Sequence, residues 1–287
     1  MLAACVPAAD PAPQSAAVIE PVRVYTPAPA PVVGGSAAFV FDGQLTQGGW
    51  IRGTAPAGAV SVTLGSQPLA IGSDGRFFAG FDRDAPPEAA LVARFADGRE
   101  VRRTLSITPR GWRIEHISAA RAPGGATAAF MARRRPELAR ISAARQKDHP
   151  AEGWKQRMIW PVTGRISGRF GSQRVYRGEP GAYHSGLDIA PGAGTPYVAP
   201  ADGVVVLAAT TPFSLEGNLL IIDHGGGLNS AFLHSQSLAV REGQTIRQGQ
   251  LLGHVGATGR ATGPHLHWSL EWQGARLDPL LFLPDQT

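Results

Sequence analysis

The 287-residue chain is predicted to be all-β with a short helical connector, and three observations carry that prediction. The chain holds 36 Gly and 24 Pro, a usage that favours short strands and tight turns over long helices. Several short runs alternate apolar and polar residues at period two, as half-buried strands require. Helical spacing is clear around Leu138, Ile141 and Ala144, which form one apolar edge.

The length allows two modest domains, each with a core of its own. No apolar run approaches the roughly 18 residues needed to span a bilayer as a helix. The formal net charge of +5 suits an acidic partner such as nucleic acid, a membrane surface or a carboxylate-rich peptide. Nucleic acid is excluded on pattern. The run Arg133-Arg134-Arg135 with Arg140, Arg145 and Lys147 reads as a solvated helix face, and neither aromatic–basic interleaving nor zinc-finger spacing is present.

Taken in order, residues 1–35 are Ala/Pro/Val-rich and read as an extended tether. The single cysteine, Cys5, rules out an internal disulfide. Its setting, Leu2-Ala3-Ala4-Cys5, resembles a bacterial lipobox, which predicts a true start upstream of Met1 and membrane anchoring through a lipidated Cys5. Val6 fits an outer-membrane lipoprotein by analogy. Residues 36–110 show short strands spaced about every ten residues, with turn signals at Ser73-Asp74-Gly75 and Ala96-Asp97-Gly98. That spacing predicts a small immunoglobulin-like β-sandwich, without histidine, serving as a spacer or docking module. Residues 111–157 form a connector, with a short helix expected to start at Pro136-Glu137. Residues 158–287 are again β-rich and Gly-dense, with strand runs at Val204–Leu207, Leu219–Ile222, Ser230–His234 and Leu266–Trp272.

Six of the eight histidines fall between 184 and 267. His184 and Asp188 stand four apart, but Gly186, Pro191 and Gly192 oppose a helix, so the two must converge through a turn or bulge at a strand start. His265-Leu266-His267 lies on a strand, where period two sets His265, His267, Ser269 and Glu271 on one face and Leu266, Trp268, Leu270 and Trp272 on the other. The two histidines therefore project together, about 6.5–7 Å apart at Cα. His234 ends a strand. Taken alone, each piece is weak.

Together they stand in an order that resembles the lysostaphin/LytM family of zinc metalloendopeptidases. The connecting text agrees over residues 158–284: Trp160–Gly164, Gly168–Gly171, Gly194-Thr195-Pro196, Ala199–Val205, Gly217-Asn218, Ile222–Gly225 and Gly256–Pro264. The resemblance implies a duplicated-hybrid-motif fold of antiparallel strands around an open groove. It implies His184, Asp188 and His267 as ligands of one Zn2+ per chain, with His234 and His265 as unligated catalytic groups. Three protein ligands leave an open coordination position, the mark of a catalytic zinc. Two positions depart from the family pattern, since Ser235 stands where Leu is usual and Tyr197 where Val is common. His224 and His254 read as structural residues of Gly-rich turns.

The implied function is hydrolysis of the peptide cross-bridges of bacterial peptidoglycan in the cell envelope or periplasm. Gly-Gly bridges and D-Ala-to-diaminopimelate bridges are not separated by these residues. Two other readings stay open, a non-catalytic activator of cell-wall amidases and a zinc endopeptidase acting on other peptides. The oligomeric state is not indicated.

Overall fold

The computed structural model describes residues 36–119, 127–209 and 211–286. Cys5, its lipobox and the Pro/Ala tether lie outside these residues. Seven strands come first: β1 (Val40–Gln44), β2 (Trp50–Thr54), β3 (Ala59–Leu64), β4 (Gln67–Leu69), β5 (Arg76–Gly80), β6 (Glu88–Phe95) and β7 (Glu100–Ser106). They build two antiparallel sheets ordered β1-β2-β5 and β4-β3-β6-β7. The expected turn at Ala96–Gly98 joins β6 to β7. Gly98 takes φ 85°, a conformation side chains disfavour, and Asp97 Oδ1 accepts the Arg99 N–H at 3.1 Å.

β5 is buried on both faces, unlike a half-buried strand. Phe77 meets Phe39 edge-on within the N-terminal sheets, whereas Phe78 packs against Trp154, Trp272 and Phe282 further along the chain. One continuous apolar cluster therefore runs from the N-terminal strands into the C-terminal half. Polar contacts seal it. Trp50 Nε1 donates to Leu281 O at 3.0 Å, and Arg110 pairs with the buried Asp278 at 2.8 Å.

The connector differs from expectation in two ways. It supplies a strand, β8 (Ile114–Ile117), which pairs in parallel with residues of the C-terminal half. Its helix, α1 (Ala128–Arg145), begins eight residues before Pro136, capped by Thr127 Oγ1, which accepts the Phe130 N–H at 3.1 Å. Pro136 thus sits inside the helix, where its missing N–H and its ring disfavour the preceding turn. Tertiary ion pairs hold that turn. Arg134 bridges Glu137 at 3.1 Å and Glu216 at 2.6 and 2.7 Å, while the Ser214 N–H and hydroxyl donate to Glu137 at 2.8 and 2.7 Å. Of the predicted apolar edge, Ala144 is buried and Ile141 packs on the sheet, but Leu138 is exposed.

The C-terminal strands are β9 (Arg165–Gly168), β10 (Gln173–Tyr176), β11 (Glu179–Pro180), β12 (Leu187–Ala190), β13 (Pro196–Val198), β14 (Gly203–Ala208) and β15 (Asn218–Asp223). They continue with β16 (Leu228–Ser235), β17 (Ser237–Leu238), β18 (Thr245–Ile246), β19 (Leu251–His254), β20 (Leu266–Trp272) and β21 (Ala275–Leu277). The largest sheet is antiparallel, in the order β18-β14-β15-β16-β20-β12-β9, with β21 on β20. A smaller sheet, β13-β19-β17, packs beside it. Leu266, Trp268, Leu270 and Trp272 of β20 all point into the core, as period two predicts. At the far end of its other face, Glu271 is ion-paired to Arg145 of α1.

Candidate metal centre

Strand register places the first two donors. β12 pairs with β20 so that Asp188 lies opposite His267, and cross-strand neighbours share a face. His184 enters from the turn before β12, and its backbone is fixed by His184 N–H to Ser172 O and Gly171 N–H to His184 O, both 2.8 Å. A register shift between Asp188 and Ile189 against β9 supplies the expected bulge. His184 Nε2 is then 3.0 Å from Asp188 Oδ1 and 3.1 Å from His267 Nδ1, and His267 Nδ1 is 2.8 Å from the same oxygen.

Two glycines make this approach possible. A Cβ on Gly168 would collide with Asp188 Oδ2, and one on Gly186 would come within 2.6 Å of Trp268 O and 2.7 Å of His267 Nε2. Neither shows a positive φ, so the need is for space.

Charge sets the protonation pattern. Burial disfavours the Asp188 carboxylate, but hydrogen bonds and charge from His184 and His267 outweigh it and hold its pKa well below the usual range. Burial also pushes His184 down, yet the Asp188 hydrogen bond and charge raise it on balance. For His267 burial prevails and the pKa is lowered.

The residues present fit a divalent cation. His184 Nδ1 lies 3.0 Å from Arg169 O, a carbonyl that can only accept, so Nδ1 carries a proton and Nε2 is the nitrogen that would lose its own to face a cation. Two imidazole nitrogens and one carboxylate oxygen converge with all ligand atoms within 4.8 Å, the one such group among the described residues. Donors on a tetrahedral ion at about 2.0–2.2 Å would stand about 3.3–3.6 Å apart, a few tenths of an ångström wider than the spacing found.

His234 and His265 flank this cluster. Their rings are 4.9 Å apart, and His234 is 6.3 Å from His267. His234 is the penultimate residue of β16, at a register shift against β15, with φ 66°. That left-handed backbone costs a non-glycine residue on the order of 1–3 kcal/mol and persists only when its surroundings dictate it. Here its N–H donates to Glu216 O at 2.8 Å, and its Nδ1 donates to Thr258 O at 2.8 Å. His265 Nδ1 similarly donates to Gly263 O at 2.9 Å, leaving its Nε2 3.7 Å from Asp188 Oδ1. In both rings Nε2 is therefore the nitrogen left to face the centre. Burial, with His265 and His267 nearby, lowers the His234 pKa despite the Thr258 bond, which keeps the ring neutral.

The structure thus brings all five predicted site residues together and leaves the other histidines apart. His224 is fully buried between Asp202 O at 2.7 Å and Ser230 Oγ at 2.7 Å. His254 contacts Ser237 Oγ at 3.1 Å. The carbonyls of Arg169, Thr258 and Gly263, which set the tautomers, carry no side-chain signature and escape sequence reasoning. From His267 a cleft of about 180 Å³ extends past Ser269 to Glu271, lined on its other side by Arg134, Leu138, Ile141 and Arg145 of α1.

Comparison with known proteins agrees with this geometry. Residues 182–279 match the family described as Peptidase family M23. Peptidoglycan DD-endopeptidase ShyA of Vibrio cholerae is 40% identical over 111 residues, covering 38% of this chain and 25% of that protein. Murein hydrolase activator NlpD of Salmonella typhimurium is 33% identical over 137 residues, covering 48% and 33%. The chain thus spans a quarter to a third of the length of these relatives. A crystal structure of a putative peptidase M23 from Pseudomonas aeruginosa matches with a TM-score of 0.63 at 29% identity, covering 83% of this chain and 95% of that one. The chain carries a peptidase family M23 domain, as its motif order and antiparallel strands led us to expect.

Proposed function

We propose that this domain is a zinc-dependent endopeptidase that cuts the peptide cross-bridges of bacterial peptidoglycan, acting in the cell envelope. The observation that carries the reading is the complete set of five groups, with three potential metal donors on one centre and beside it two histidines whose Nδ1 atoms are each committed to a carbonyl. When bound there, zinc would polarise the scissile carbonyl and acidify a water molecule. The chain's own residues do the rest. His234 Nε2 or His265 Nε2 takes the proton from the attacking water, because each has its other nitrogen committed to a carbonyl. The protonated ring then donates to the developing oxyanion and returns the proton to the leaving amine. Asp188 stays ionised throughout, which its lowered pKa favours.

The likeness to a murein hydrolase activator supports a second reading, a non-catalytic activator of wall hydrolases. An activator needs no positioned bases, so the tautomer-fixed pair favours the enzyme. The deciding experiment treats isolated sacculi with purified chain, with and without chelator, and identifies the released fragments. New peptide ends that vanish with chelator support the endopeptidase. Intact sacculi, with stimulation of an added amidase, would establish the activator. Among the described residues no helix is long and apolar enough to cross a membrane. Anchoring through Cys5 is part of the proposal, and mass spectrometry of the mature N-terminus from the native host tests it: an unmodified Met1 would remove the lipid anchor.

A further inference from the structure

We propose that the buried hydrogen bond between Tyr197 and Ser235 is a positioning device for His234. The proposal rests on the endopeptidase reading for its kinetic consequence, though not for its geometry. The Tyr197 hydroxyl and Ser235 Oγ are 2.8 Å apart, and both residues are wholly inaccessible to solvent. A phenol sealed in an apolar core needs a partner, and the partner it has is the residue directly after His234.

Ser235 is held at two points. Its hydroxyl meets Tyr197, while its carbonyl accepts from Asn218 Nδ2 at 2.9 Å and from Thr258 Oγ1 at 3.0 Å. Thr258 Oγ1 in turn accepts the Asn218 N–H at 2.9 Å. Thr258 is also the residue whose carbonyl takes the proton of His234 Nδ1, and its N–H reaches His234 O at 3.3 Å. A shift of Ser235 therefore reaches the imidazole through a single residue, by the bond that fixes its tautomer.

The far end of the device is rigid. The Tyr197 ring stacks on Phe232 at 5.5 Å, and Phe232 stacks on Trp268 at 6.4 Å with planes 5° apart. Those three rings come from β13, β16 and β20, and Trp268 adjoins the ligand His267 in sequence. Gly253 leaves the room, since a Cβ there would come within 3.0 Å of the Tyr197 hydroxyl. Strand β13 carries none of the five site residues, and Tyr197 is its link to the site. Positions 197 and 235 are the two departures from the family pattern, and the structure shows that they depart as a bonded pair.

The test uses the full chain loaded with zinc, as wild type, Tyr197→Phe, Ser235→Ala and the double variant. Each single change removes one hydroxyl and no other packing group beyond it. By NMR, exchange of the His234 Nδ1 proton with water should be at least about tenfold faster in each single variant. The double variant should be no faster than either single, because all three lose one interaction. On a peptide substrate, kcat should fall about tenfold, with KM and zinc content unchanged. A pair that serves only the core would lower Tm yet leave the proton exchange and kcat at wild-type values, and that result would overturn the proposal. If wild type cuts no peptide, the endopeptidase reading falls, and the exchange measurement alone still decides for or against the pair.

Discussion

Asp188 and His267 owe their places to a regular antiparallel ladder, whereas His234 and His265, a few ångströms away, owe theirs to irregular backbone. In the ladder, register alone brings two side chains to one face, and each strand is anchored along its length. At His234 the strand breaks register, the backbone adopts a left-handed conformation, and the ring is aimed by a carbonyl in a distant loop. Two of the three groups that could hold a metal are thus set by the ladder, and the third, His184, by the turn before β12. The two flanking rings are aimed by hydrogen bonds to carbonyls, which choose the nitrogen left free.

The largest effect that would break this comparison is loss of metal. His184→Ala or Asp188→Ala should abolish tight zinc binding, read as metal content after dialysis; full occupancy in both would reassign the site. Next come the flanking groups. His234→Ala and His265→Ala should keep their zinc and lose about 10²–10⁴-fold in kcat/KM, and wild-type turnover in either would move its role elsewhere. A smaller effect sharpens the geometric claim. Gly186→Ala should weaken zinc affinity about 10–100-fold through the clash with His267 and Trp268, and unchanged affinity would show that the ladder yields there.

The smallest effect concerns His224, a histidine outside the site. His224→Ala should cost about 1–3 kcal/mol of stability by unpairing Ser230 and Asp202, with zinc content and turnover of the folded protein intact. Burial lowers the pKa of His224, so the unfolded chain takes up a proton that the folded chain refuses. Its contribution to stability is present above the ordinary value of about 6.5 and is lost as pH falls below it. Denaturation midpoints of metal-free wild type should therefore fall more steeply below pH ~6.5 than those of His224→Ala. Contributions from His184 and His267 are common to both and cancel in the difference. Parallel curves would contradict the assignment.

The turn between β6 and β7 and the inward face of β20 were legible from sequence, for one reason. Each depends on local stereochemistry or on a two-residue alternation that survives any packing. The helix start was not legible. Pro136 is a sound signal for a first turn, but Arg134 and Glu137 find Glu216 and Ser214 across the groove, and those contacts carry the helix back to Thr127. Nor could residues 36–110 be seen to share a core with the C-terminal half, because Phe78 reads like any strand residue until Trp154, Trp272 and Phe282 meet it.

By itself, then, the sequence determined where the turn between β6 and β7 falls and which face of β20 turns inward, since residue type and spacing are local properties of the chain, while its resemblance to a known family singled out the five residues that the fold brings together. Only the tertiary structure decided which nitrogen of each histidine faces the centre, that Tyr197 meets Ser235, and how far α1 extends along the cleft. Those outcomes depend on backbone carbonyls and partners far away in sequence, whose positions are set only when the sheets close on one another.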